Sequence, residues 1–226
     1  VSWISGCTQY CTRDVQISTL HRRCVDGRYQ MRLRALPVTV HKRLVHLERD
    51  GWKLGRFQRS VRDIGRTYES LDIVVFSGVM LRDTPEMLDW AINAQLMQRP
   101  QRPEHMGNLG AAIAHMILWD HIARQPDNNQ SVYLIFEDNA LYTSESEHAI
   151  ETMSIFEFDF LNLRVLRPTG TETDVSGLLR MPNNEWPHEP LANLWLSSYL
   201  LTITGARRLL QELRRVRCDL SIQIID

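Results

Sequence analysis

The sequence predicts an α/β fold in which a largely parallel central sheet is flanked by helices, and three observations carry that expectation. From about residue 39 onward, apolar runs of strand length alternate with segments of helical period. One run, "SVYLIF" at 131 to 136, is continuously apolar, as expected of a strand buried on both faces. The chain has 226 residues and 43% hydrophobic content, enough to bury one substantial core in a single domain.

The elements follow in order. Residues 1 to 38 mix Arg, Thr, Cys and Gly without a period, and Pro37 closes them off as an irregular leader to a domain at 39 to 226. "KRLVHLE" (42 to 48) reads as a strand, and Leu54, Phe57, Val61 and Ile64 fall at helical spacing before a stop at Gly65. "LDIVVF" (71 to 76) is a second strand. "TPEMLDWAINAQLM" then predicts a helix with Thr84 as N-cap and Pro85 in its first turn. A Pro-containing connection leads to "GNLGAAIAHMILWDHIA" (107 to 123), apolar nearly all round and therefore an interior helix. After "SVYLIF", the pair Ser144 and Glu147 predicts a capping box, and "FDFLNLRVL" (158 to 166) alternates as a strand does. Residues 167 to 193 are rich in Pro and Gly and read as a long functional loop. "LWLSSYLLTIT" is a last strand, and Thr204 is the expected cap of a helix striped with Leu209, Leu210, Leu213 and Val216.

Composition excludes several classes of function. Lys plus Arg (26) nearly balance Asp plus Glu (27), so no overall field draws the chain to nucleic acid or an anionic membrane. No apolar run reaches the roughly 18 residues of a membrane span. The N-terminal "VSWISGCTQYC" has neither an initiating Met nor a recognisable signal sequence, and the chain reads as a soluble domain or a fragment of a longer one. Cys7, Cys11, Cys24 and Cys218 lack the spacing of a disulfide framework or a zinc site, and read as free thiols. The glycine-rich dinucleotide fingerprint, the nucleophile elbow and the phosphate-binding loop are all missing, which counts against a dinucleotide oxidoreductase, a serine hydrolase and a nucleoside triphosphatase.

What remains is an acidic cluster. In "YLIFEDNALY" (133 to 142) a buried strand runs directly into Glu137, Asp138 and Asn139. Unpaired buried carboxylates are costly, so such a cluster belongs at the exposed carboxyl edge of the sheet, where α/β proteins bind their ligands. Lys53 and Arg49, after the first strand, are candidate phosphate contacts. Gly107 and Gly110 permit close approach of a ligand to the start of the interior helix or simply close packing. His115 is a candidate site residue on that same helix, Trp119 and Tyr199 are expected in the core, and Asp219 and Asp226 are candidates for contact with an acceptor or for a base.

Three stretches in this order resemble glycosyltransferase family 25, which includes lipopolysaccharide-biosynthesis and procollagen galactosyltransferases, over about residues 42 to 226. "HLERDGWKLGRF" (46 to 57) is similar to the family's Asn-Leu-Asp/Glu-Arg-x-x-x-Arg, with His46 in place of the Asn and Lys53 in place of the second Arg. "GNLGAAIAHMILW" (107 to 119) resembles Gly-x-x-Gly-x-x-x-Ser-His-x-x-x-Trp with Ala114 at the Ser, and "LIFEDNALY" resembles a strand ending in Glu-Asp-Asp. The resemblance implies a GT-A fold, a nucleotide-diphosphate sugar donor, usually a uridine diphosphate sugar, and a saccharide or hydroxylated protein acceptor. It further implies a divalent metal, Mn²⁺ or Mg²⁺, held by Asn139 and Asp138, with Glu137, Lys53, Arg49, Gly107 and His115 around the donor and Asp138 or Asp219 in a catalytic role. Family members occupy the bacterial cytoplasm and the secretory lumen alike. Asn139 replaces the family's Asp and brings no charge to a metal, so the alternative reading is a catalytically inactive GT-A domain kept for binding or scaffolding.

Overall fold

The computed structural model describes residues 38–99, 106–126, 130–144, 146–147, 150, 158–163 and 198–216, together with two short antiparallel pairings, Cys24–Val25 with Arg28–Tyr29 and Thr171–Glu172 with Leu179–Arg180. The rest of the leader, most of the loop at 167 to 193, and Asp219 and Asp226 lie outside the described residues.

Five strands form the central sheet: β1 (Thr39–His46), β2 (Ile73–Ser77), β3 (Ser131–Glu137), β4 (Phe160–Asn162) and β5 (Ser198–Thr202). Their spatial order is β2-β1-β3-β5-β4. β1 pairs parallel with both β2 and β3, while β5 runs antiparallel to β3 and to β4. The sheet is therefore mixed, not largely parallel. The short apolar runs that announce these strands carry no mark of direction, and direction depends on how each connection returns.

The helices are α1 (Gly51–Asp63), α2 (Tyr68–Leu71), α3 (Glu86–Asn93), α4 (Met106–Ala123) and α5 (Ile203–Val216). α1 ends near Gly65, whose φ of +73° suits a residue without a Cβ. The predicted caps move. Thr84 carries no cap hydrogen bond, because its hydroxyl donates to the Met80 carbonyl, and α3 stops at Asn93 instead of reaching Met97. The box expected at Ser144 is formed one residue earlier, where Thr143 Oγ1 accepts from Ser146 N and Ser146 Oγ from Thr143 N. Thr202, not Thr204, caps α5, its Oγ1 accepting from Gly205 N at 2.9 Å. Around Ser144 and Thr204 several Ser and Thr residues compete for one cap, and the entry angle of the chain selects among them.

Pleating divides the core in two. Val45, Tyr133, Ile135, Tyr199 and Leu201 face one way and pack with α3, α4 and α5. Leu44, Val132, Leu134, Phe136 and Leu200 face the other and pack with Phe57 and Val61 of α1 and with Tyr142, Ile150 and Phe158. α4 lies between the sheet and its neighbouring helices, with Ile113, Ala114, Met116, Leu118 and Ile122 fully buried, as its all-round apolar surface predicts. Among the described residues no helix is long and apolar enough to cross a membrane.

β1 lies between β2, which follows it in sequence, and β3, so consecutive connections leave on opposite sides. In sheets of this topology a ligand is accommodated in the crevice outside the carboxyl ends of the strands, here those of β1 and β3.

The two glycines of α4 differ in role. A Cβ at Gly110 would stand 2.4 Å from the Val79 carbonyl oxygen, whereas one at Gly107 would meet nothing within 4 Å. Gly110→Ala is expected to cost about 1–3 kcal/mol through overpacking. Gly107→Ala is expected to be neutral or stabilising by up to about 1 kcal/mol through helix propensity. Urea denaturation of the two variants measures both.

Candidate functional site

Ladder register sets the geometry of the acidic cluster. Val45 lies opposite Glu137, and Asp138 N continues the ladder by donating to Val45 O at 3.1 Å. One step along the pleat reverses the face. Glu137 points to the α4 side and Asp138 to the other, where its Oδ2 pairs with His46 Nδ1 at 2.8 Å and accepts more distantly from Leu47 N at 3.4 Å. Asp138 and His46 are both buried and tie the carboxyl ends of β1 and β3 together.

Glu137 ends a chain of polar groups that begins deep in the core. His115 and Trp119 are four residues apart on α4 and so share one face. Both reach the hydroxyl of Tyr199 on β5, Trp119 Nε1 at 2.9 Å and His115 Nδ1 at 2.7 Å. His115 Nε2 in turn lies 3.2 Å from Glu137 Oε1. One proton arrangement satisfies every atom: the indole N–H donates to the Tyr199 oxygen, the phenol donates to Nδ1, and Nε2–H donates to the carboxylate. Burial raises the Tyr199 phenol well above its ordinary value, only partly offset by the bond from Trp119, so it remains the neutral donor this arrangement needs.

Glu137 itself is held ionised. Burial alone would raise its pKa, but the His115 hydrogen bond, the Asn139 amide and the nearby Lys53 outweigh that, leaving it below the ordinary carboxylate value. Asn139 Nδ2 donates to Glu137 Oε2 at 3.1 Å, and Arg56 Nη2 donates to the Asn139 backbone carbonyl at 2.6 Å.

The cations stand at the same edge, Arg49 on the turn after β1 and Lys53 in the first turn of α1. Lys53 Nζ is 2.6 Å from Asp50 Oδ2, and the exposed Arg49 Nε is 3.6 Å from Asp50 Oδ1. The Lys53 hydrogen bond holds Asp50 below its ordinary range. Gly107 is exposed, with open space where a side chain would stand. Among the sequence-derived candidates, the fold brings Glu137, Asn139, His115 and Lys53 together, turns Asp138 to the opposite face, and makes Gly110 a packing position. Sequence reasoning missed Arg56 and Trp52, whose i, i+4 spacing on a helix beside the first strand was the available signal. It also took Tyr199 and Trp119 for core alone. They are core, but they orient His115 as well.

Among the described residues no three His, Cys, Asp or Glu side chains converge on one point. A divalent ion does not fit the cluster as it stands, because Asp138 is engaged with His46 on the far face and Asn139 offers an uncharged oxygen. No protein-family model matches this sequence, and no curated protein shows significant similarity to it.

Two outcomes follow from this geometry. Tyr199→Phe keeps the ring, stacked 5.1 Å from Phe160, but strips partners from buried Trp119 and His115. It is expected to cost about 1–3 kcal/mol in urea unfolding. Because the folded pKa of Glu137 lies below its ordinary 4.5, its ionisation adds stability that is complete above 4.5 and is lost as pH falls through the folded value. Wild type is therefore expected to lose stability more steeply than Glu137→Gln as pH falls below 4.5, read from urea midpoints between about pH 7 and about pH 3.

Proposed function

We propose that this domain binds a nucleotide-diphosphate sugar, a uridine diphosphate sugar first among them, at the carboxyl edge of β1 and β3, and transfers the sugar to a saccharide or hydroxylated acceptor. The fold type we assign to it on this reading is GT-A. The observation that carries the proposal is Glu137: an ionised carboxylate at the mouth of the crevice, locked by His115 and Asn139 and flanked by Lys53. Carboxylates so placed accept hydrogen bonds from paired hydroxyls such as those of a ribose. A lowered pKa makes Glu137 a weak base, so it acts as an anchor.

In the transfer, the acceptor oxygen bonds to the anomeric carbon as the bond from that carbon to the diphosphate oxygen breaks. The acceptor proton passes to solvent, and the nucleoside diphosphate departs with its added charge. Lys53 and Arg56 are the cations of α1 near the edge that can stabilise that charge. No step is assigned to a metal. Asp138 acts through position, fixing the ends of β1 and β3 through His46.

A second reading, an inactive domain that retains donor binding, is favoured by the same Asp138–His46 pair and by the neutral Asn139. Calorimetric titration of uridine diphosphate in the presence of Mn²⁺, followed by assay for nucleotide release from uridine diphosphate sugars, separates the two. Saturable binding with release is expected. Binding without release from any donor and acceptor pair supports the inactive domain, and absence of binding by folded protein overturns both.

A further inference from the structure

Trp52, in the first turn of α1, has 65% of its surface exposed. Single exposed apolar residues are ordinary on a protein surface. This one differs in its company. Lys53 Nζ and the Arg56 guanidinium each lie 5.9 Å from its ring centroid, within range of a cation–π interaction. Arg56 also reaches the Asn139 carbonyl, and Asn139 in turn bonds Glu137, so the indole is linked by direct contacts to the mouth of the crevice. The buried Arg56 Nε finds no acceptor among the described residues.

We propose that Trp52, Lys53 and Arg56 form a stacking platform that takes the aromatic base and the phosphates of a nucleotide, and that this binding requires no divalent ion. The inference rests on the nucleotide reading above and extends it to residues outside the acidic cluster. Three observations set the chemistry of the occupant. A flat, exposed indole accepts any base, because every base has a π-face. Two cations beside it favour a base joined to negatively charged phosphates, and a guanidinium suits phosphate oxygens geometrically. Lys53 is paired with Asp50 in a part-buried contact through one of the three donors of its ammonium. With Asp138 turned away, the acids do not converge to hold a metal against the phosphates, so these cations carry the neutralisation.

The test is uridine diphosphate titrated calorimetrically into wild type, Trp52→Ala, Trp52→Phe and Arg56→Ala, each in EDTA and in Mn²⁺, with circular dichroism confirming the fold. Trp52 is largely exposed, so both replacements are expected to fold. Wild type is expected to bind in EDTA with an affinity within about threefold of that in Mn²⁺. Trp52→Ala is expected to weaken binding about tenfold or more, and Trp52→Phe by less than about threefold, the range that stacking energies set. Arg56→Ala is expected to weaken it about tenfold by removing a charge-assisted contact. Unchanged affinity in Trp52→Ala overturns the platform while the nucleotide reading stands. Binding by wild type in Mn²⁺ but not in EDTA overturns the ion-independent part alone. Failure of folded wild type to bind in either condition overturns this inference together with the proposal on which it rests.

Discussion

Strand β3 has helices over both faces, and every residue from Val132 to Phe136 is buried, so charge can follow it only where it leaves the sheet. That constraint organises the rest of the molecule. β3 lies between β1 and β5 and aligns both by register, placing Val45 opposite Glu137 and Tyr199 opposite Ile135. The same pleat that sends alternate apolar side chains into two cores also sends Glu137 and Asp138 to opposite sides. One carboxylate becomes available at the crevice. The other becomes a strut between two strand ends.

The polar chain from Trp119 through Tyr199 and His115 to Glu137 crosses the larger core, where unpaired polar atoms are costly. Each of these groups is satisfied by the next, and the last opens toward the edge of the sheet. Because α4 and β5 both contribute, their relative position is fixed by directional bonds as well as by packing. A carboxylate supported in this way is oriented before any ligand arrives, which lowers the cost of binding.

The cations stand at the same edge. Lys53 and Arg49 share Asp50, and Trp52 stands largely exposed beside Lys53 and Arg56. These side chains lie on the first turns that follow β1, where the topology turns two connections in opposite directions. Glu137 and the cations Lys53 and Arg56 thus stand near one another at one edge of the sheet, Arg56 linked to Glu137 through Asn139.

The sequence by itself determined the class of fold, the central place of β3, the interior position of α4 and the location of a polar cluster at a strand end, because local periodicity and the cost of burying charge decide those. It also pointed to His115 and Lys53, though without their partners. It could not assign strand direction, and it read a mixed sheet as largely parallel. It misplaced the caps at Ser144 and Thr204, since neighbouring hydroxyls are equivalent until the chain's path is known, and the one at Thr84, whose hydroxyl bonds back to Met80 instead. Only the tertiary structure decided that Glu137 and Asp138 part company, that Gly110 is a packing residue, and that Tyr199, 84 residues from His115, sets its orientation. The physical reason is common to all of these. Register, facing and hydrogen-bond partnership are relations between segments distant in sequence, and they come into being only when the sheet is assembled.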